Sequence, residues 1–215
     1  MPWSTADLID AIAQGLRDAA RDRDLEQAVY GIDSLDELRL HPLIHDALTR
    51  AGYGAWREQR YPGAWALPKR SQGQRCDLVI TPAPEALPLR DLEVRGTLFE
   101  TQPGVDPERA YWLEVKAVAQ FEQLGPARGY SRELLSPVVD DIRKLWADGV
   151  IAHAGLLLVL FNADQGTAEH DLLAWHERVL DRGCPAGTPA TRGFPITDRA
   201  GNAWCSASLF PVRGF

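Results

Sequence analysis

The stretch YWLEVKAVAQF, residues 111–121, decides how this chain is read. Its aromatic and β-branched residues favour a strand, yet Glu114 and Lys116 stand two residues apart in its middle. Strand alternation puts residues 112, 114, 116 and 118 on one face and Leu113, Val115 and Ala117 on the other. The carboxylate and the amine are therefore same-face neighbours, about 7 Å apart at their Cα atoms. On an exposed edge such an ion pair would contribute little. The apolar residues on either side instead suit a strand that is at least half buried.

Working outward, RCDLVITP (75–82) reads as another strand, closed by Pro82, with Asp77 set between the apolar Cys76 and Leu78. GAWREQRYP (54–62) reads as an earlier strand. Residues 82–110 hold five prolines and read as a long insertion, with a short strand expected near 92–99. After the decisive strand, SRELLSPVVDDIRKLWADG (131–149) carries Leu134, Val138, Ile142 and Leu145 at helical spacing. AHAGLLLVLFN (152–162) is a continuous apolar run, as in a strand covered on both sides. A helix crossing from one strand to the next predicts a parallel pair.

Upstream, a helix is expected from Ser4, its N-cap, to a stop at Gly31, and a second over 35–50, kinked or split by Pro42. Downstream, AEHDLLAWHERVLDRG predicts a helix, and the tail predicts a β-hairpin around DRAGN, residues 198–202. The expected organisation is one α/β domain. Its core spans 34–162 around a mixed sheet, with an N-terminal helical extension (1–33) and a C-terminal helix and hairpin (163–215).

If the strands carrying Asp77 and Glu114 pair, their carboxylates converge. Hard oxygen donors of that kind suit Mg²⁺, and the Val115 carbonyl could supply a third oxygen. A lysine beside such an ion can orient or deprotonate a water and offset charge on a phosphoryl group. Asp77, Glu114 and Lys116 together therefore point to phosphodiester hydrolysis. The Glu-x-Lys tripeptide is weak evidence alone; its weight comes from its place in mid-strand, after an aspartate-bearing strand and before a helix and an apolar strand.

The order helix–strand–strand–strand–helix–strand, with RCDLVI and WLEVK on the second and third strands, resembles the PD-(D/E)xK nuclease superfamily. The resemblance spans roughly residues 34 to 162. It implies a restriction-endonuclease-like α/β/α core and Mg²⁺-dependent cleavage of DNA or RNA, with Mn²⁺ able to substitute. It assigns Asp77 and Glu114 as metal ligands, Lys116 as the catalytic lysine and Glu37, on the first core helix, as a further acidic residue. The family's first-motif proline is absent, Cys76 standing before Asp77, and the gap from Asp77 to Glu114 is long. Glu37 also has a plain explanation, because SLDE (34–37) is a Ser-x-x-Glu capping box.

Composition narrows the rest. The net charge of −7 excludes a protein that coats duplex nucleic acid through a uniformly basic surface, leaving only a local basic groove. Twenty of the 23 basic residues are arginines, so Lys69, Lys116 and Lys144 stand out. Lys69, Arg70, Arg75 and Lys144 are the candidates for holding phosphates, and Trp65 for stacking on a base. The expected partner is nucleic acid, DNA before RNA, with a homodimer left open. Glu58 and Arg60 share a strand face and could line the same cleft. Gln120 suits a loop hydrogen bond better than a phosphate contact. His41 and His45, four apart, read as helix-surface residues, and His170 and His176 as unconnected. Three cysteines without a C-x-x-C spacing argue against zinc or a disulfide framework. No apolar run is long enough for a membrane span and the N-terminal residues lack signal-peptide character, so a cytoplasmic location is expected. Two rivals remain: a catalytically silent nucleic-acid- or protein-binding module on the same scaffold, and a small-molecule phosphohydrolase, for which no glycine-rich phosphate cradle is present.

Overall fold

β6, His153–Asn162, lies at the centre of the sheet, and its side chains sort themselves by parity. Leu156, Leu158 and Leu160 join one apolar cluster, while Leu157, Val159 and Phe161 join the other. Only a strand covered on both faces can bury both sets, as the continuous apolar run predicts. The computed structural model describes residues 3–63, 74–84, 86–90 and 103–214, with 135–137 described in backbone only. Among these residues a six-stranded mixed sheet runs in the order β1 (Gly54–Arg60), β2 (Arg75–Thr81), β3 (Tyr111–Ala119), β6, β8 (Trp204–Arg213), β7 (Ala190–Pro195). A two-stranded ribbon, β4 (Phe121–Glu122) with β5 (Gly125–Pro126), stands apart from it. β3 and β6 are parallel, as expected of strands joined by a helical crossover; the other pairs are antiparallel.

Helices cover both faces. The inward stripe of α3 (Tyr130–Ala147) and the Leu172, Trp175 and Val179 stripe of α4 (Gln165–Asp181) pack with Trp112, Leu158 and Phe210 on one side. On the other side, Leu8, Ile12 and Leu16 of α1 (Thr5–Leu25) and Leu40, Ile44 and Leu48 of α2 (Glu37–Arg50) pack with Leu113, Val115 and Leu157. No described helix is long and apolar enough to cross a membrane.

Several boundaries differ from expectation. α1 begins at its Ser4 cap, which accepts from the Asp7 amide, but it ends at Leu25 rather than near Gly31. Gln27 takes the left-handed conformation (φ 53°), its amide bonding to Asp24 and that of Ala28 to Arg23. That pattern is a Schellman stop without its usual glycine. α2 runs unbroken through Pro42, which removes a single hydrogen bond. Its cap is Asp36, whose carboxylate accepts from the Arg39 amide, while the Ser34 hydroxyl turns back to the Gly31 carbonyl. The capping-box account of Glu37 therefore fails. α4 starts at Gln165, before the expected Ala168, because Asp164 caps it through the Thr167 amide. The expected strand at 92–99 lies outside the described residues. All three cysteines are free and buried.

Candidate functional site

β2 comes loose from both neighbours at one residue. Its ladder with β1 pairs Arg57 with Leu78 and Gln59 with Cys76, skipping Glu58 and Asp77 between them. Its ladder with β3 stops at Leu78 and Leu113, one short of Asp77 and Glu114. Glu58 takes left-handed backbone (φ 53°), costly for a residue with a side chain. Cys76 and Leu78, which regular alternation would put on one face, fall into opposite core clusters. The strand is thus twisted at Asp77. Where the ladder would have continued, the Asp77 carboxylate accepts the Val115 amide proton at 2.8 Å. A side chain replaces a carbonyl, and β3 is left open on that edge beyond Leu113.

Charged groups from both helical layers gather at this opening. Lys116 donates to both Glu37 oxygens of α2, at 3.1 and 3.0 Å, and lies 3.2 Å from Asp141 of α3. Asp141, only 4% exposed, also accepts from Lys144 at 2.7 Å. Glu114, 3% exposed, accepts from the hydroxyl of Tyr61, whose ring stacks on Trp112. His41 is fully buried, with its Nε2 3.9 Å from Asp77. One ligand-capable atom from each of Glu37, His41 and Asp77 lies within 4.8 Å of the other two.

The electrostatics follow from burial and crowding. Burial, then the Asp77 and Asp141 charges, push the Glu114 carboxyl up to about 9, with the Tyr61 hydroxyl opposing. At neutral pH Glu114 therefore carries its proton. Burial also raises Glu37, against the pull of Lys116. Burial alone would lower Lys116, but Asp141 and Glu37 overcome it and hold the ammonium above its ordinary value. Burial lowers His41, so its ring is neutral near pH 7, and Asp77 opposes that shift only in part. Burial drives Tyr61 and the Cys76 thiol upward, so neither ionises.

Asp77, Glu114, Lys116 and Glu37, named from sequence, are thus brought together. Val115 takes part through its amide, which Asp77 engages. Among the residues expected to hold phosphates, Lys144 is tied to Asp141, and the exposed Arg75 donates to the Glu58 carbonyl at 2.7 Å, bracing the twist. Lys69, Arg70 and Trp65 lie outside the described residues. Gln120 accepts from the Ala163 amide, the loop role expected of it. Glu58 is exposed. His41 corrects its assignment to the helix surface: one turn after Glu37 it faces inward, whereas His45, a turn further, pairs with Asp46 near solvent. Asp141 was missed although it stands three residues after Val138, on the inward stripe of α3, a position where an aspartate is itself a signal. Tyr61 had no such signal.

A cavity of about 700 Å³ adjoins the cluster at Glu37 and Ala117, reaching to Asp33, Phe121 and Glu133. Acidic side chains outnumber basic ones along its walls, Arg199 being the cation among them. Comparison of the chain with protein-family models, with curated proteins and with solved structures finds no match, so its functional assignment rests on this geometry.

Proposed function

We propose that the chain is a divalent-cation-dependent nuclease on a PD-(D/E)xK-like scaffold, cleaving phosphodiester bonds of DNA, or of RNA, from the opening beside β3. The observation that carries this is the release of β2 at Asp77, which lets Asp77, Glu114, Glu37 and Lys116 meet at one partly accessible point. The donor chemistry fits a hard cation. Asp77 and Glu114 would hold it, with Glu37 beside them, and a cation would remove the repulsion that now keeps Glu114 protonated. When bound, such an ion polarises the phosphoryl group and acidifies a water. Lys116 keeps its proton between Glu37 and Asp141, so it suits orienting the water and offsetting developing negative charge, and not removing a proton. The Asp141–Lys144 pair steadies Lys116 from the α3 side.

The test is hydrolysis of single- and double-stranded DNA and RNA with Mg²⁺ or Mn²⁺, alongside Asp77→Asn and Lys116→Ala. Cleavage that both substitutions abolish is expected; cleavage that survives both would refute the site. One observation favours a second reading. Glu114 is bonded to Tyr61, and Lys116 is engaged on two sides, so the cluster also closes upon itself, as a silent binding module would allow. That reading gains if no substrate is cut and calorimetry finds no carboxylate-dependent Mn²⁺ binding.

A further inference from the structure

His41 is the residue the proposed chemistry leaves unexplained. The core-facing positions around it on α2, Leu40, Ile44, Ala47 and Leu48, are apolar, and another aliphatic side chain would pack there without desolvating an imidazole. Instead the ring is sealed from water, and neither nitrogen has a hydrogen-bond partner among the described residues. Buried polar groups are nearly always satisfied, so two orphaned ring nitrogens call for an explanation. Nε2 is turned toward Asp77 at 3.9 Å, too long for a hydrogen bond, yet suited to two ligands flanking a common ion. Glu37 comes from the same helix, about one turn earlier, and brings a carboxylate to the same spot.

From this geometry we infer that His41, Glu37 and Asp77 form a mixed nitrogen–oxygen cation site, selective for a borderline first-row divalent ion such as Mn²⁺, Co²⁺ or Zn²⁺ over Mg²⁺. Imidazole suits these ions, whereas Mg²⁺ prefers an all-oxygen shell and keeps its waters. Glu37 can serve while bound to Lys116, because each carboxylate oxygen has more than one lone pair. Asp77 can likewise keep its bond to the Val115 amide. Arg57 and Lys116 are the positive charges within electrostatic reach of the ring, and Glu58 and Asp77 oppose them. The site shares Asp77 with the proposed nuclease centre and deepens that reading by naming the class of ion. It does not require cleavage to occur.

The experiment is titration of the full-length, metal-free chain with Mn²⁺ alone, followed by calorimetry and pulsed electron paramagnetic resonance. Nitrogen modulation from a directly bound imidazole is expected. His41→Gln should abolish that signal and weaken Mn²⁺ binding at least about tenfold. Glu37→Gln, at a partly exposed position, should weaken binding without unfolding the chain, and so decides the matter if His41→Gln is poorly folded. His45→Ala should leave the nitrogen signal intact, and Mg²⁺ should compete only in large excess. Glu114→Gln separates this inference from the nuclease reading: it should abolish hydrolysis while keeping the nitrogen signal. Mn²⁺ bound through oxygen alone, a signal that follows His45, unchanged affinity in Glu37→Gln, or no binding to the folded chain would each overturn the site.

Discussion

β3 and β6 lie side by side, parallel and in register, yet they do opposite work. Glu114 stands opposite Leu156, and Lys116 opposite Leu158. β6 has a partner along both edges and a helical layer on both faces, and its buried side chains from Ala154 to Phe161 are apolar. β3 shares those faces but loses its β2 edge after Leu113. Charge enters this sheet where a ladder is missing. The complete ladders of β6 leave no opening through which a charged group could reach it. A missing ladder leaves an amide in want of an acceptor and a gap through which two helices can send carboxylates. Apolar residues would satisfy the core more cheaply than this buried ion cluster, so the cluster calls for a role beyond stability.

The largest effects should split along that line. Asp77→Asn keeps an oxygen for the Val115 amide, so unfolding free energy should shift by no more than about 1 kcal/mol, while hydrolysis falls at least about a hundredfold. Leu158→Ala, one strand away, should do the reverse. It should cost about 2–5 kcal/mol in urea unfolding and leave the specific activity of the folded fraction near that of the parent. If Asp77→Asn unfolds the chain and spares activity, the two strands do not divide their labour as described.

Glu114→Gln tests the charged side of β3 through pH. The folded-state carboxyl titrates at about 9 against an ordinary 4.5. Its contribution to stability is thus complete below about 4.5 and drains away as pH rises toward 9, because the unfolded chain gives up the proton first. Glu37, also raised, adds in the same sense. His41, lowered from 6.5, acts oppositely, and only as pH falls below that value. Between about pH 6.5 and 9, then, the metal-free chain should lose stability with rising pH. Glu114→Gln mimics the protonated form. It should flatten most of that slope and gain on the order of 2–5 kcal/mol near pH 8.5, with little difference near pH 5. Urea midpoints across that range measure it. An unchanged slope would mean that Glu114 is ionised in the folded chain.

The same contrast explains what could be read from the sequence. β6 and α3 were legible because periodicity is a local property: an apolar run or a Leu134–Val138–Ile142 stripe states its own burial. Asp77, Glu114 and Lys116 could be placed on strands and faces by alternation. The twist at Asp77 could not, because it depends on two ladders failing at once, one with a strand about twenty residues earlier and one with a strand nearly forty residues later. The end of α1 was hidden because Gln27 occupies a position where glycine would have announced it. His41 reads with His45 as a helix-surface residue, because spacing alone does not say which side of α2 meets the core; the packing turns His41 inward beside Glu37 and Asp77. Ser34 offered a plausible cap that Asp36 pre-empted.

The smallest expected effect lies where the two regions touch. Tyr61 keeps its ring stacked on Trp112, in the apolar layer, while its hydroxyl donates to Glu114 in the charged one. Tyr61→Phe retains the first contact and deletes the second. That hydroxyl is a donor that favours the ionised carboxylate, so its loss should move the Glu114 titration further above about 9. The stability cost should be about 1 kcal/mol, the usual net value of one hydrogen bond. Carbon-13 detection of the Glu114 carboxyl across pH 6 to 11 reads the shift directly, and Glu114→Gln identifies the resonance. A downward movement would show that the hydroxyl accepts from a protonated Glu114 instead of donating to it. In that event the Tyr61–Glu114 contact would be part of what keeps the site neutral, and a cation entering there would have to break it.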